Sequence, residues 1–162
     1  MKTDLHTQFT RIFHEQRDKI YRLCKAMVYD YSYVDDVFQE AMSNVWKSLK
    51  NFKGKSSIDT WVYRIAINTC ITFNNRQKRL NAKQAEMQEN YVPPSEDENE
   101  QLQELYRAIK QLNSSDSSII GLYLEDFSYK EIAEILGIST SNVGVRLNRI
   151  KQKISVIIHQ KN

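Results

Sequence analysis

The sequence predicts an all-α protein of two small helical domains joined by a flexible acidic linker. Three observations carry that expectation. Glycine and proline are scarce over 162 residues (Gly 4, Pro 2), which suits long uninterrupted helices. Apolar residues recur at spacings of three and four through most of the chain, the period of a helix with one buried face. Charge falls in blocks: residues 1–80 carry 14 Lys/Arg against 8 Asp/Glu, 81–104 carry 1 against 7, and 105–162 carry 8 against 5. Two basic bodies and an acidic strap fit two nucleic-acid-binding domains and a tether, although ordinary surface charge produces the same imbalance.

Charged residues at 27% and hydrophobic residues at 41% are ordinary for a soluble globular protein. No apolar run approaches membrane-spanning length, and Met1-Lys2-Thr3-Asp4 leads into an amphipathic pattern without a signal-peptide core. A cytoplasmic protein without membrane insertion is therefore expected. Cys24 and Cys70 lie on expected apolar faces and form no C-x-x-C pair, so they read as core thiols. The three histidines are scattered without metal-ligand spacing, and neither a metal nor a cofactor is expected.

Taken in order, Leu5, Phe9, Ile12, Phe13 and then Ile20, Leu23, Cys24, Met27 and Val28 repeat at helical spacing. The polar stretch His14–Lys19 between them suggests a kink or a break. Ser32-Tyr33-Val34-Asp35 fits a capping box opening a helix through Val37, Phe38, Ala41, Val45, Trp46 and Leu49. A basic loop with Gly54 follows, and then a helix from Asp59 to Arg79 with its apolar stripe on Trp61, Val62, Ile65, Ala66, Thr69, Cys70 and Phe73. Residues 80–100, with Pro93-Pro94 and acidic and amide side chains, lack the apolar groups that would fold them. Two helices, Glu100 to Leu112 and Ser115 to Leu124, come next. The expected division is a domain over 1–79, a linker over 80–100 and a domain over 101–158.

The stretch from Phe127 to Ile150 is the most specific. Ser128-x-x-Glu131 reciprocally satisfies two free N–H groups at a helix start. Ile132, Ala133, Ile135 and Leu136 give that helix a buried face, and Gly137 can end it with φ > 0. Ser139 caps a second helix with the stripe Val143, Leu147, Ile150, Ile154 and Ile157. Such a pair is either a plain helical hairpin or a helix-turn-helix, whose second helix enters the DNA major groove. Thr140, Ser141, Asn142, Arg146 and Arg149 occupy its outward positions, and each can hydrogen-bond bases or phosphates.

Asp35-Asp36-Val37-Phe38-Gln39-Glu40 with Val45-Trp46, then Phe52-Lys53-Gly54 and Thr60-Trp61-Val62-Tyr63-Arg64-Ile65-Ala66-Ile67-Asn68, resembles region two of bacterial RNA polymerase sigma factors. The C-terminal helix-turn-helix is similar to their region four. With both in order and neither region one nor region three present, the chain resembles the compact extracytoplasmic-function (ECF) type of the sigma-70 family. The resemblance covers nearly everything outside residues 80–100.

The resemblance implies a transcription initiation factor, not an enzyme. It implies docking of the helix face Asp36, Gln39, Glu40 and Asn44 on the clamp helices of the largest subunit of core RNA polymerase. Periodicity alone leaves that face as plain solvated surface. The resemblance also implies promoter DNA as partner. The −10 element and its melted non-template strand would meet Lys53, Lys55, Trp61, Tyr63, Arg64, Asn68 and Arg76, the −35 element Thr140, Ser141, Asn142, Arg146 and Arg149. Trp61 also fits the helix core. Thr72, Asn75 and Gly144 depart from the family pattern. The linker reads either as a plain tether or, by resemblance, as a strand directed to the RNA exit path. An anti-sigma factor is a further partner that the resemblance raises and the sequence does not decide. The rival reading is a free-standing helix-turn-helix regulator, against which Asp36, Gln39 and Glu40 argue.

Overall fold

The computed structural model describes residues 4–83 and 99–160. Among them seven α-helices occur, and no strand. The helices are α1 (Leu5–Met27), α2 (Val34–Ser48), α3 (Ile58–Lys83), α4 (Glu100–Ile109), α5 (Ser114–Leu124), α6 (Tyr129–Leu136) and α7 (Thr140–His159). Most of the expected linker lies outside the described residues. The helix before it runs on to Lys83, past its expected end at Arg79.

Local chemistry accounts for the helix ends. The carboxylate of Asp4 accepts the N–H of His6 at the start of α1. The Asn99 and Asn113 side chains accept from Leu102 and Asp116 and open α4 and α5. In α6 the expected capping box is formed: the Ser128 hydroxyl accepts the Glu131 N–H at 3.1 Å, and the Glu131 carboxylate accepts the Ser128 N–H at 3.0 Å. That second bond holds the Glu131 carboxyl below its ordinary pKa. Gly137 ends α6 with φ +70, a conformation costing other residues about 1–2 kcal/mol. The Ser139 hydroxyl then caps α7 through the Asn142 N–H.

Three sequence expectations are corrected. α1 is one continuous helix across His14–Lys19, because Gln16 stands where an apolar residue would and pairs its amide across the packing. It accepts from the Tyr63 hydroxyl and donates to Asp59. Ser32 does not cap α2: the Asp30 carboxylate instead accepts from Ser32 and fixes a 3-10 turn, after which α2 begins at Val34 without a side-chain cap. Trp46 is 45% exposed, lying at the edge of the α2 stripe against the Phe9 ring.

α1 is the central element, packing on α2 and α3 along one side and on α4 and α5 along another. One buried cluster runs through both halves, from Ile20, Leu23 and Met27 to Val45, Val62 and Ala66 and on to Ile109, Ile119, Leu122 and Leu147. α5 comes so near α1 that a Cβ built on Gly121 would stand 2.8 Å from Leu23 Cδ1. The two thiols sit in this core as expected, free and buried, with Cys70 Sγ 3.7 Å from Cys24 Sγ. Their hydrogen bond and burial push the Cys24 thiol pKa up, so it stays protonated and inert.

Polar contacts finish the seam between the halves. Arg22 grips the nearly buried Glu125 carboxylate with Nε at 2.8 and 3.0 Å and Nη2 at 2.7 Å. Lys110 donates to the carbonyls of Lys25 and Val28 at the end of α1, acceptors that a helix C-terminus leaves without intrahelical partners. The Tyr29 hydroxyl donates to the Leu112 carbonyl at 3.2 Å. Phe127 sets its ring edge-on to Tyr63 at 4.8 Å.

Candidate nucleic-acid and polymerase interfaces

Three surfaces hold the candidate residues. On α2, Asp36, Gln39 and Glu40 share one exposed face, since positions i, i+3 and i+4 align on a helix. Beside them Gln39 borders an open groove of about 450 Å³ with Phe13, Tyr21, Asp35, Phe38 and Met42. The Tyr21 hydroxyl donates to Asp35 at 2.6 Å, and burial together with that carboxylate raises the tyrosine pKa. Asn44 departs from the expected face: its amide donates to the Thr69 hydroxyl at 3.1 Å and ties α2 to α3.

On α3, Trp61, Arg64 and Asn68 fall at i, i+3 and i+7 and form one stripe, which exposed Thr72 and Asn75 continue. Lys53 and Lys55 are exposed on the loop before it, and Arg76 is exposed towards its far end. Trp61 is half-buried against Phe52, at 5.0 Å between rings, so it is neither a core residue nor fully open. Tyr63 does not join this stripe. It is 1% exposed, points away from the stripe into the seam, and spends its hydroxyl on Gln16 at 2.5 Å. Burial raises its pKa. Arg64 is engaged as well: its guanidinium donates to the carbonyls of Glu134 at 2.5 Å and Ile135 at 3.1 Å, at the C-terminal end of α6.

On α7, Thr140, Ser141 and Asn142 are exposed at the helix start, and Arg149 two turns on. Arg146 is corrected. It lies inward, bonding Asp116 at 2.8 Å and the Ser115 hydroxyl at 2.6 Å, and so braces α7 against the start of α5. Asp116 itself is 4% exposed. Sequence reading missed Val145, which stands open on the same side as Ser141 and Asn142. Its only signal was an apolar residue off the buried stripe. Gly144, the departure noted in the sequence, packs beside the Tyr129 ring, where a Cβ would find ordinary contact at 3.5 Å.

Among the described residues no cluster of His, Cys, Asp and Glu could hold a metal ion, and no helix is long and apolar enough to cross a membrane. A capped helix, a left-handed glycine and a second helix with an open polar start, packed on two supporting helices, define a helix-turn-helix protein. The first half adds a second, separate polar stripe on α3.

Comparison with known proteins narrows this. Sigma-70 region 2 matches residues 12–80, and sigma-70 region 4 matches residues 102–154. The ECF sigma-E factor of Haemophilus influenzae is 31% identical over 136 residues, covering 75% of this chain and 72% of the relative. That of Escherichia coli K12 is 32% identical over 136 residues, with 75% and 71% covered. Sigma factor SigV of Bacillus subtilis is 28% identical over 136 residues, with 83% and 81% covered. The chain belongs to the sigma-70 family of RNA polymerase sigma factors, in its ECF group, and is a transcription initiation factor. Solved structures share its fold across both halves. The sigma factor RpoE in complex with the anti-sigma factor NepR from Bartonella quintana superposes with a TM-score of 0.78 at 17% identity, covering 94% of this chain and 97% of that one. CnrH in complex with the cytosolic domain of CnrY gives 0.70 at 19% identity, covering 97% and 91%. Family membership decides against the free-standing regulator.

Proposed function

We propose that this sigma factor docks on core RNA polymerase through Asp36, Gln39 and Glu40 of α2 and reads two promoter elements with two separate domains, over 1–79 and 101–158. The observation that carries the reading is the exposed polar start of α7, held by the Ser139 cap and presented beyond the packed stripe Val143–Leu147–Ile150. A helix start with exposed amide and hydroxyl side chains is what a helix-turn-helix sets against base edges. On this reading Thr140, Ser141 and Asn142 meet the −35 element, and Arg149 holds its backbone. Arg146 contributes by fixing the angle of α7.

The α3 stripe Trp61, Arg64 and Asn68, with Lys53, Lys55 and Arg76 beside it, serves the −10 element. Melting takes a base out of the stack, and stacking on an aromatic such as half-open Trp61 returns about 1–3 kcal/mol per base. In the arrangement described, α6 occupies the guanidinium of Arg64. Engagement of α3 by DNA therefore requires α6 to leave. Binding energy from polymerase at α2 and from DNA at α7 favours that opening, since only ligands that prefer the open form shift the balance. Acidic and amide groups on α2 suit a basic partner surface, where charge steers the encounter. The site of action is the cytoplasm, with core polymerase. Two macromolecular partners follow, core polymerase and promoter DNA; an anti-sigma factor would compete for the same surfaces.

The test is co-elution of the purified chain with bacterial core polymerase. A complex that Gln39→Ala with Glu40→Lys weakens by roughly tenfold or more supports the reading. A chain that never associates with core polymerase overturns it.

A further inference from the structure

The face of α7 that remains open after packing is polar or charged at Ser141, Asn142, Asn148 and Arg149, and apolar at Val145 near its start and at Val156 three turns further on. Val145 is 65% exposed, and no other exposed large hydrophobic among the described residues is as open. It stands three residues after Asn142 and four before Arg149, one turn into the helix. An i, i+3, i+7 series places these three side chains in one row along the helix.

An isopropyl group neither donates nor accepts a hydrogen bond. Set in a major groove, it finds one apolar partner on the base edges, the C5-methyl of thymine. Its stiff β-branched side chain is fixed by the helix backbone, so little freedom is lost on contact. Nothing within the described protein requires an apolar residue here. Val143, Leu147 and Ile150, fully buried, complete the packing without it.

We infer that Val145 is a specificity-determining residue of the −35 interface and reads the methyl group of a thymine, flanked by Asn142 on one side and Arg149 on the other. The inference rests on α7 lying in the major groove, as proposed above, and adds which chemical group of the DNA this side chain selects. The methyl contact supplies sequence information that Arg149, placed for a phosphate, does not.

The test uses the full chain with bacterial core polymerase. A random-sequence pool is first selected for upstream elements, and each thymine in the selected element is then replaced singly by uracil. That change deletes one methyl and leaves every hydrogen-bonding group in place. At one thymine the holoenzyme should lose about fourfold in affinity, the factor for burying one methyl-sized apolar group. With Val145→Ala the uracil and thymine forms should bind alike, while Asn142→Ala keeps the difference. Because Val145 is exposed, its truncation leaves the fold intact, which an unchanged melting curve checks. A selected element without thymine, no uracil-sensitive position, or the same uracil sensitivity in Val145→Ala overturns the inference. Failure to select any upstream element overturns the placement of α7 itself, and this inference with it.

Discussion

Arg22→Ala tests how firmly the two halves are held together. Arg22 makes three contacts of 2.7 to 3.0 Å to the Glu125 carboxylate, and its own pKa is raised by that hydrogen bonding. Glu125 has 9% of its side chain exposed against 46% for Arg22. Its negative charge also helps push the Tyr106 hydroxyl up to about 12, after burial as the main cause. Truncating Arg22 strands a carboxylate that water barely reaches. A fully buried pair broken in this way costs about 3–5 kcal/mol. Because Arg22 is itself half-open, water partly fills its place, and about 1.5–3 kcal/mol is the appropriate scale, that of a hydrogen bond to a charged group. The open form should then gain roughly 10- to 100-fold in population. Donor and acceptor dyes at exposed positions 43 and 152 report the separation of the halves. Arg22→Ala should lower transfer, and removing the stranded charge with Glu125→Ala should restore part of it. Transfer and urea midpoint both unchanged in Arg22→Ala would refute the reasoning.

The seam should also respond to pH. Burial pulls the Lys110 pKa from 10.5 to about 7, with Lys25 adding repulsion while the carboxylate of Asp30 acts the other way. Between those values the closed form holds Lys110 neutral and an open form charges it. Opening therefore takes up a proton, and the closed form gains with rising pH by up to about tenfold per unit; below about pH 7 the slope vanishes. The same dye pair should show this, and Lys110→Met should abolish it. Gln39→Ala with Glu40→Lys should weaken core-polymerase binding by roughly tenfold or more with helicity unchanged, because like charges at an interface cost several kcal/mol. Arg146→Ala and Arg149→Ala should separate. The first leaves buried Asp116 unpaired and lowers stability by about 3–5 kcal/mol in urea titration. The second leaves stability alone and reduces the salt slope of promoter binding by about one.

What could be seen in advance was the chemistry confined to a few adjacent residues. The Ser128–Glu131 capping box and Gly137 define the first helix of the helix-turn-helix within ten positions, and the buried stripe from Val143 to Ile154 follows from spacing alone. What escaped depends on partners far along the chain. Arg146 looks outward-facing until Asp116, thirty residues earlier, is placed against it. Asn44 is committed to Thr69, and Tyr63 to Gln16 and Phe127. The polar stretch in α1 looked like a break because a glutamine satisfied by a tyrosine hydroxyl is indistinguishable, in a pattern of apolar spacings, from one facing water. The seam had one local hint, Gly121 inside α5. A mid-helix glycine costs about 1 kcal/mol against alanine and points to another helix passing close. Here that helix is α1.

Run-off transcription tests the central claim most directly. Bacterial core polymerase, the purified chain and a template bearing a promoter selected by that holoenzyme are combined, with core polymerase alone as control. One discrete transcript should appear that requires the chain and fades when either the −10 or the −35 element is scrambled. Transcription indifferent to the chain, or to both elements, would contradict that claim.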